Sequence, residues 1–199
     1  MLSYEKKSDF HLWKSFKNGD KLALDVIFKR YYSALHRYGV KLTNNVTLTE
    51  DCLQDFFLYI YEHRQNLKDL DAIKPYLFKA FRNRLLKYLK ANTDLVSIEA
   101  IEKNGLPMSF SIEELMIQRE NKQLRRKQIV ALLNRLTDKQ KELIYLKYYN
   151  KLSISDISEI VGISYQGVLN GLSKSMKKLK KIYTDTYIIS LIYLFLIIF

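Results

Sequence analysis

The residue types that most often carry catalysis are few in this chain and are not grouped. Three histidines, His11, His36 and His63, share no metal-ligand spacing with the single cysteine, Cys52. The sequence contains no glycine-rich phosphate loop and no paired-carboxylate motif. It therefore disfavours an enzyme, including one that acts on nucleic acid, and predicts no catalytic residue, no metal site and no cofactor.

The C-terminal third of the chain has the spacing of a helix-turn-helix. Thr137, followed three residues later by Gln140, predicts a capped helix start, and Ser153 with Asp156 predicts another. Gly162 predicts the turn, because glycine accepts a left-handed backbone without a steric cost. A short helix, a glycine turn and a longer helix form the arrangement that places a recognition helix in the major groove of DNA.

The helix after this turn is predicted to direct polar and basic side chains outward. The candidate DNA contacts are the predicted cap, Ser164, and five residues of the helix, Tyr165, Gln166, Asn170, Lys174 and Lys178. The same helices could form a plain bundle with a solvated basic face. However, residues 122–183 hold fourteen Lys and Arg against four Asp and Glu, a net charge of +10. A basic field of that size attracts phosphates through counterion release, so charge favours DNA binding.

The predicted helix from Glu50 to Gln65 has two different faces, separated at about 100° per residue. One face is apolar, and the other mixes acids, an amide and large apolar side chains. The candidate members of this mixed face are Asp51, Gln54, Asp55, Leu58 and Tyr61. A solvated face does not normally carry Leu58 and Tyr61 among its acids, so we expect a protein-docking surface. Scattered surface apolar residues are the alternative.

A second basic helix is predicted from Tyr76 to Lys90. It follows a polar connection at residues 69–74 and begins near Pro75, which suits a first helical turn. Basic side chains interleaved with aromatic rings suit a single-stranded nucleic acid, although most such rings belong to a core. The candidate contacts are Lys74, Lys79, Arg82, Asn83 and Lys87. Arg82 is predicted to lie at the flank of the exposed face.

Composition predicts an all-α protein with two helical domains. Of 199 residues only six are Gly and two are Pro, and 48% are apolar. We expect a helical bundle at residues 10–91, an acidic linker at 92–121, the helix-turn-helix domain at 122–183 and an apolar tail with a short helix at 184–199. The linker holds six acidic and two basic residues. The absence of a signal peptide at the N-terminus and the single cysteine predict a cytoplasmic protein.

Three motifs in this order resemble those of the extracytoplasmic-function (ECF) class of bacterial RNA polymerase sigma factors. This is the minimal type of the sigma-70 family, with regions 2 and 4 joined by a linker. The acidic-glutamine-aromatic helix of region 2 is similar to EDCLQDFFLYIYEHR at residues 50–64, and its promoter-melting helix to PYLFKAFRNRLLKYLK at residues 75–90. The helix-turn-helix of region 4 is similar to residues 133–180. The SYQ-V-N pattern resembles Bacteroidetes-type members.

The resemblance implies a role for each candidate group. The positions that dock on the clamp helices of the polymerase largest subunit are matched by Asp51, Gln54, Asp55 and Tyr61. The loop that captures a flipped base of the minus-ten element is matched by residues 66–74, and the helix along the melted strand by Lys79, Arg82 and Asn83. The family's positions that read the minus-thirty-five element are matched by Tyr165, Gln166, Asn170 and Lys174. The acidic linker would thread the channel used by nascent RNA.

The implied function is a sigma factor without catalytic activity that directs core RNA polymerase to specific promoters under the control of an anti-sigma factor. A stand-alone helix-turn-helix transcriptional regulator is the alternative, and it leaves residues 51–90 unexplained. One departure concerns the recognition helix, where a common Thr-Val-Lys-Ser-Arg run is replaced by residues 167–171, GVLNG. Each glycine costs a helix about 1 kcal/mol relative to alanine. We therefore expect weak upstream affinity, or a helix that orders only on DNA.

The apolar tail, Tyr187–Phe199, has three possible roles. As a helix it would extend about 20 Å, too short for a bilayer core of about 30 Å. It could pack on one of the domains as a terminal helix. It could instead associate weakly with a membrane surface, aided by the lysines upstream, or engage a membrane-bound anti-sigma partner.

Overall fold

A computed structural model describes Tyr4 and residues 6–92, 106–110 and 123–182. Every regular element in these residues is helical, so the all-α prediction is confirmed. The chain divides into two compact units, Met1–Leu95 and Val96–Phe199, which are described separately. The apolar tail lies outside the described residues, and its predictions stand untested.

The first unit is a bundle of four α-helices with a 3-10 turn, Arg64–Asn66, before the last of them. The helices are α1 (Asp9–Lys17), α2 (Lys21–Thr43), α3 (Val46–Glu62) and α4 (Ile73–Asn92). Its largest fully buried side chains include Trp13, Phe16, Tyr38, Phe56, Phe78 and Phe81. The chain turns between α1 and α2 at Gly19, which has a φ of 93°, and Asp20 caps α2 by accepting from the amides of Leu22 and Ala23.

Asp9 ties three helices of this bundle together. Its carboxylate accepts hydrogen bonds from the Tyr31 hydroxyl, from the Arg30 guanidinium at 2.7 Å and from the backbone amide of Ile73 at 3.3 Å. Burial and the bond to Asp9 raise the pKa of Tyr31, so its hydroxyl stays a donor even in alkaline solution above its ordinary pKa of 10.0. The start of α1 is therefore bound to α2 and to the first residue of α4.

The boundary between α2 and α3 lies between Thr43 and Val46, not at Gly39 or Thr49. α2 continues through Gly39, where a Cβ atom would lie only 2.5 Å from Thr49 Cγ2 and 3.0 Å from the Phe81 ring. Asn45 is the actual cap and accepts from the amide of Leu48. Thr49 lies inside α3, fully buried, with its hydroxyl donating to the Asn45 carbonyl oxygen at 2.7 Å. Gly39 therefore serves close packing between helices rather than a turn.

The second unit contains four α-helices in its described part. They are α5 (Gln123–Leu133), α6 (Asp138–Ile144), which continues as a π-helical turn (Tyr145–Tyr149), α7 (Ile154–Val161) and α8 (Tyr165–Ile182). Both predicted capping boxes are present, Thr137 with Gln140 and Ser153 with Asp156. The glycine turn is confirmed by the φ of 76° at Gly162.

Helix α8 runs unbroken through both of its glycines. Gly171 lies against α6, where a Cβ atom would come within 2.4 Å of Leu143 Cδ1. The hydroxyl of Ser175 donates to the Gly171 carbonyl oxygen at 2.7 Å and is fully buried. Gly171 therefore allows α8 to pack closely on α6, which offsets its cost to helix propensity.

Candidate nucleic-acid interface and docking stripe

The mixed face of α3 is open to solvent. Asp51, Gln54 and Asp55 are exposed, Leu58 is 56% exposed and Tyr61 is half-buried. We call these five residues the docking stripe. The opposite face of α3 is buried through Cys52, Leu53, Phe56, Phe57 and Ile60. The two faces separate as the sequence predicts, and the partner of the docking stripe stays a prediction.

Two arginines flank the docking stripe. Arg84 of α4 pairs with Asp55 at 3.6 Å and lies over the ring of Tyr59, 5.3 Å from its centroid. Arg64 lies 4.8 Å from the centroid of the Tyr61 ring and donates to the Tyr61 carbonyl oxygen. Such cation–π contacts hold aromatic rings at a surface without burying them. Sequence reasoning missed Tyr59 and both arginines, because the Arg84 contacts join two different helices.

The basic residues of α4 do not all face solvent. Asn83 and Lys87 are exposed, whereas Lys74 and Lys79 are half-buried. Arg82 is only 8% exposed, so its predicted place at the flank of the exposed face is wrong. The reason is that α4 packs against both α2 and α3, which makes its buried face wider than one stripe. That face includes Leu77, Phe78, Phe81 and Leu85.

The connection between α3 and α4 is bound to α1 at two points. The indole nitrogen of Trp13 donates to the Lys68 carbonyl oxygen at 2.8 Å, and Lys17 pairs with Asp69 at 2.6 Å. The hydrogen bond from Lys17 and its charge lower the pKa of Asp69. Beside this connection is a cleft of about 310 Å³ that is lined by Lys17, Asn18, Gly19, Arg64 and Gln65. Two of its lining side chains are cationic, so the cleft suits a phosphate-bearing ligand.

The helix-turn-helix places the start of α8 at the surface. The Ser164 hydroxyl accepts from the amide of Gly167 at 3.0 Å, as a helix cap does. Ile157 of α7 and Val168 of α8 are fully buried between the helices. Tyr165, in the first turn of α8, is 54% exposed.

The outer face of α8 continues with amides and then with lysines. Gln166 and Asn170 are exposed, and Gln166 Nε2 donates to Asn170 Oδ1 at 3.1 Å. Lys174 is exposed one turn further on. Leu169 is also on this face, 37% exposed, and was missed by the sequence analysis. The signal that could have found it is its spacing of four residues from Tyr165, which puts both on one face.

Lys178, a predicted DNA contact, has a partner within the protein. Its ammonium group donates to the Arg135 carbonyl oxygen at 2.6 Å, just beyond the end of α5. A cation is favourable there because the last carbonyl groups of a helix carry partial negative charge. Any contact of Lys178 with a phosphate therefore competes with this internal bond.

Residues 106–110, LPMSF, lie within the predicted linker but pack on the second unit, and we call this segment the strap. Leu106 and Met108 are buried, whereas Pro107 and Ser109 are exposed. This alternation is that of an extended chain with one face against the protein. Residues 106–110 therefore contribute to the packed unit.

Side chains of the second unit bind the strap's backbone. Asn134 forms two hydrogen bonds with Phe110, accepting from its amide at 2.9 Å and donating to its carbonyl oxygen at 3.0 Å. Asp138 accepts from the Met108 amide at 3.2 Å, and Lys141 donates to the Met108 carbonyl oxygen at 2.7 Å. These polar side chains form the hydrogen bonds with the strap's backbone amide and carbonyl groups that a neighbouring strand would otherwise form.

In the part of the chain that the structure describes, no helix has both the length and the hydropathy that a membrane span requires.

The comparisons with known proteins concern both units. The sequence matches the family model of sigma-70 region 2 over residues 27–94 and that of sigma-70 region 4 over residues 126–179.

Curated relatives cover most of this chain and nearly all of their own length. The chain is 25% identical to the ECF RNA polymerase sigma factor SigM of Bacillus subtilis, over 81% of this chain and 96% of SigM. It is also 25% identical to the RNA polymerase sigma factor SigZ of the same organism, over 80% of this chain and 86% of SigZ.

Solved structures share the fold. CnrH, in complex with the cytosolic domain of CnrY, matches with a TM-score of 0.59 at 16% identity, over 88% of this chain and 97% of CnrH. The sigma factor RpoE from Bartonella quintana, in complex with the anti-sigma factor NepR, matches with a TM-score of 0.56 at 19% identity, over 80% of this chain and 95% of RpoE.

Proposed function

The chain belongs to the ECF class of the sigma-70 family, and we propose that it is the subunit that brings core RNA polymerase to specific promoters, without catalysis of its own. One observation carries the proposal. The same chain holds an exposed docking stripe on α3 and a helix-turn-helix with an outer face of amides and lysines. A regulator that binds DNA alone needs only the second of these.

The two units divide the work in this proposal. The docking stripe binds core polymerase. The melted minus-ten strand runs along Lys74, Lys79, Asn83 and Lys87, and residues 66–74 capture a flipped base. The cleft beside Lys17 and Arg64 binds a phosphate of that strand. Helix α8 enters the major groove at the minus-thirty-five element. Arg82, being buried, supports α4 from within, so we leave it out of the direct DNA contacts.

We further propose that an anti-sigma factor controls this subunit in the cytoplasm. One structural neighbour supports this, since the sigma factor RpoE was solved with the anti-sigma factor NepR. An inhibitor that covers the docking stripe, where Leu58 is 56% exposed, would exclude core polymerase from the same apolar and acidic surface.

The test is co-purification of the full-length chain with core RNA polymerase. The variant Gln54→Ala with Asp55→Lys removes an amide and reverses a charge in the docking stripe. We expect core binding to fall about tenfold or more, the effect of about 1.4 kcal/mol. Promoter-dependent run-off transcription should fall in parallel.

A matched control is Asp25→Lys on α2. It reverses the same charge and loses one surface ion pair, that of Asp25 with Lys29 at 2.7 Å, as Asp55→Lys loses the pair with Arg84. Core binding should be unchanged in this control. Equal core affinity of all three proteins would refute the docking stripe, and DNA binding by a wild-type chain that never associates with core polymerase would favour the stand-alone regulator.

A further inference from the structure

The first part of α8 has no cationic side chain on any face. Residues 164–173, SYQGVLNGLS, contain neither Lys nor Arg, and the first cation of the helix is Lys174. Guanine is read in the major groove most often by a bidentate Arg or Lys. The turns of α8 that lie nearest the helix start therefore lack the usual means of selecting guanine.

The two exposed amides of this part of α8 keep a donor and an acceptor that their mutual hydrogen bond does not use. Because Gln166 Nε2 donates to Asn170 Oδ1, the Gln166 Oε1 atom remains as an acceptor and Asn170 Nδ2 as a donor. Adenine presents the complementary pair in the major groove, the N7 acceptor and the N6 donor. The hydrogen bond between the two amides also fixes their relative orientation, so less side-chain freedom is lost on binding.

Two large apolar side chains lie beside these amides. Tyr165 is 54% exposed and Leu169 is 37% exposed, one turn apart on the same face as Gln166 and Asn170. Single exposed apolar residues are common on protein surfaces. Two of them within one helical turn of a reading face are suited to the one apolar group in the major groove, the 5-methyl of thymine.

We propose that α8 reads A·T pairs in the upstream promoter element. In this proposal Leu169 is a specificity-determining residue that contacts a thymine 5-methyl, and the Gln166–Asn170 pair contacts adenine. The lysines from Lys174 onward bind phosphates on either side. The inference rests on the proposed function, because it takes α8 as the helix that enters the groove.

The experiment begins with selection of promoter duplexes with a randomised upstream region by the full-length chain bound to core polymerase. We expect A·T pairs to be enriched within the upstream element. Thymines in the selected element are then replaced one at a time by deoxyuridine, which lacks only the 5-methyl. At the contacted position, wild-type affinity should fall about fourfold, the value of one buried methyl group.

Two variants make the result specific. Leu169→Ala should bind the thymine and deoxyuridine duplexes equally, because it lacks the side chain that contacts the methyl. Lys177→Ala, an exposed residue of the same helix, should weaken binding to both duplexes by the same factor and keep the fourfold ratio.

The proposal is overturned if the selected element is dominated by guanine, if no deoxyuridine substitution weakens binding, or if Leu169→Ala keeps the full methyl dependence. In each of these cases the chain still binds core polymerase and initiates transcription, so the proposed function survives. A chain that never binds core polymerase would refute the proposed function instead. The same duplex comparison, made with the full-length chain alone, would then still decide what α8 reads.

Discussion

The strap provides the most direct test of how the second unit is held together. We consider Asn134→Ala, which removes both hydrogen bonds to Phe110, at 2.9 and 3.0 Å. The bonds of Met108 to Asp138 and Lys141 remain in this variant. The change therefore weakens one end of the strap and leaves the other end intact.

The magnitude follows from the two bonds that are lost. Each is worth about 0.5–1.5 kcal/mol net. Phe110 is half-buried, so its freed amide and carbonyl regain some contact with water, which places the loss in the lower part of the range. We expect the free energy of local opening of the strap to fall by about 1–2 kcal/mol, which corresponds to about 5- to 30-fold faster amide exchange. The free energy of global unfolding should change by less than that of local opening, because the strap opens without unfolding the helices.

The assay is amide hydrogen exchange on the full-length chain, followed at Phe110 and Met108. Both amides should exchange faster in Asn134→Ala if the strap is released as one segment, and only Phe110 if one end frays. Arg135→Ala is the neighbouring control, because among the described contacts its side chain makes no bond to the strap. Unchanged exchange at Phe110, or equal acceleration in Arg135→Ala, would refute the reasoning.

Two further predictions concern packing and titration. Gly171→Ala should lower the free energy of unfolding by about 1 kcal/mol, because crowding against Leu143 costs about 1–3 kcal/mol and exceeds the gain in helix propensity of about 1 kcal/mol. In denaturant titrations, an unchanged or increased free energy of unfolding would contradict this. Burial raises the pKa of Cys52 from 9.0 to about 11, so the unfolded chain loses this proton first and stability should fall only above about pH 9. In Cys52→Ala the fall should begin about one pH unit higher, because the pKa of Tyr31 is also raised in the folded protein and its ordinary value is 10.0. A thiol reagent at about pH 8 should react with the wild-type chain only on unfolding.

The sequence alone determined the elements that depend on neighbouring residues. The capping boxes at Thr137 and Ser153 and the turn at Gly162 were predicted correctly, because a cap or a left-handed residue acts within about four positions of the chain. The separation of the docking stripe from the buried face of α3 followed from helical periodicity, which is equally local. The roles of the candidate contacts follow from resemblance to the family and are predictions still to be tested.

Only the tertiary structure decided which of these residues have partners within the protein. Arg82 is buried because α4 packs on two helices at once, and Lys178 bonds to a carbonyl group 43 positions away. The strap joins Phe110 to Asn134, 24 positions apart, through side-chain-to-backbone bonds. Gly171 is required by the distance between α6 and α8. Contacts between residues so distant in sequence leave no periodic signal, because they depend on how the helices cross rather than on the residues of any one helix.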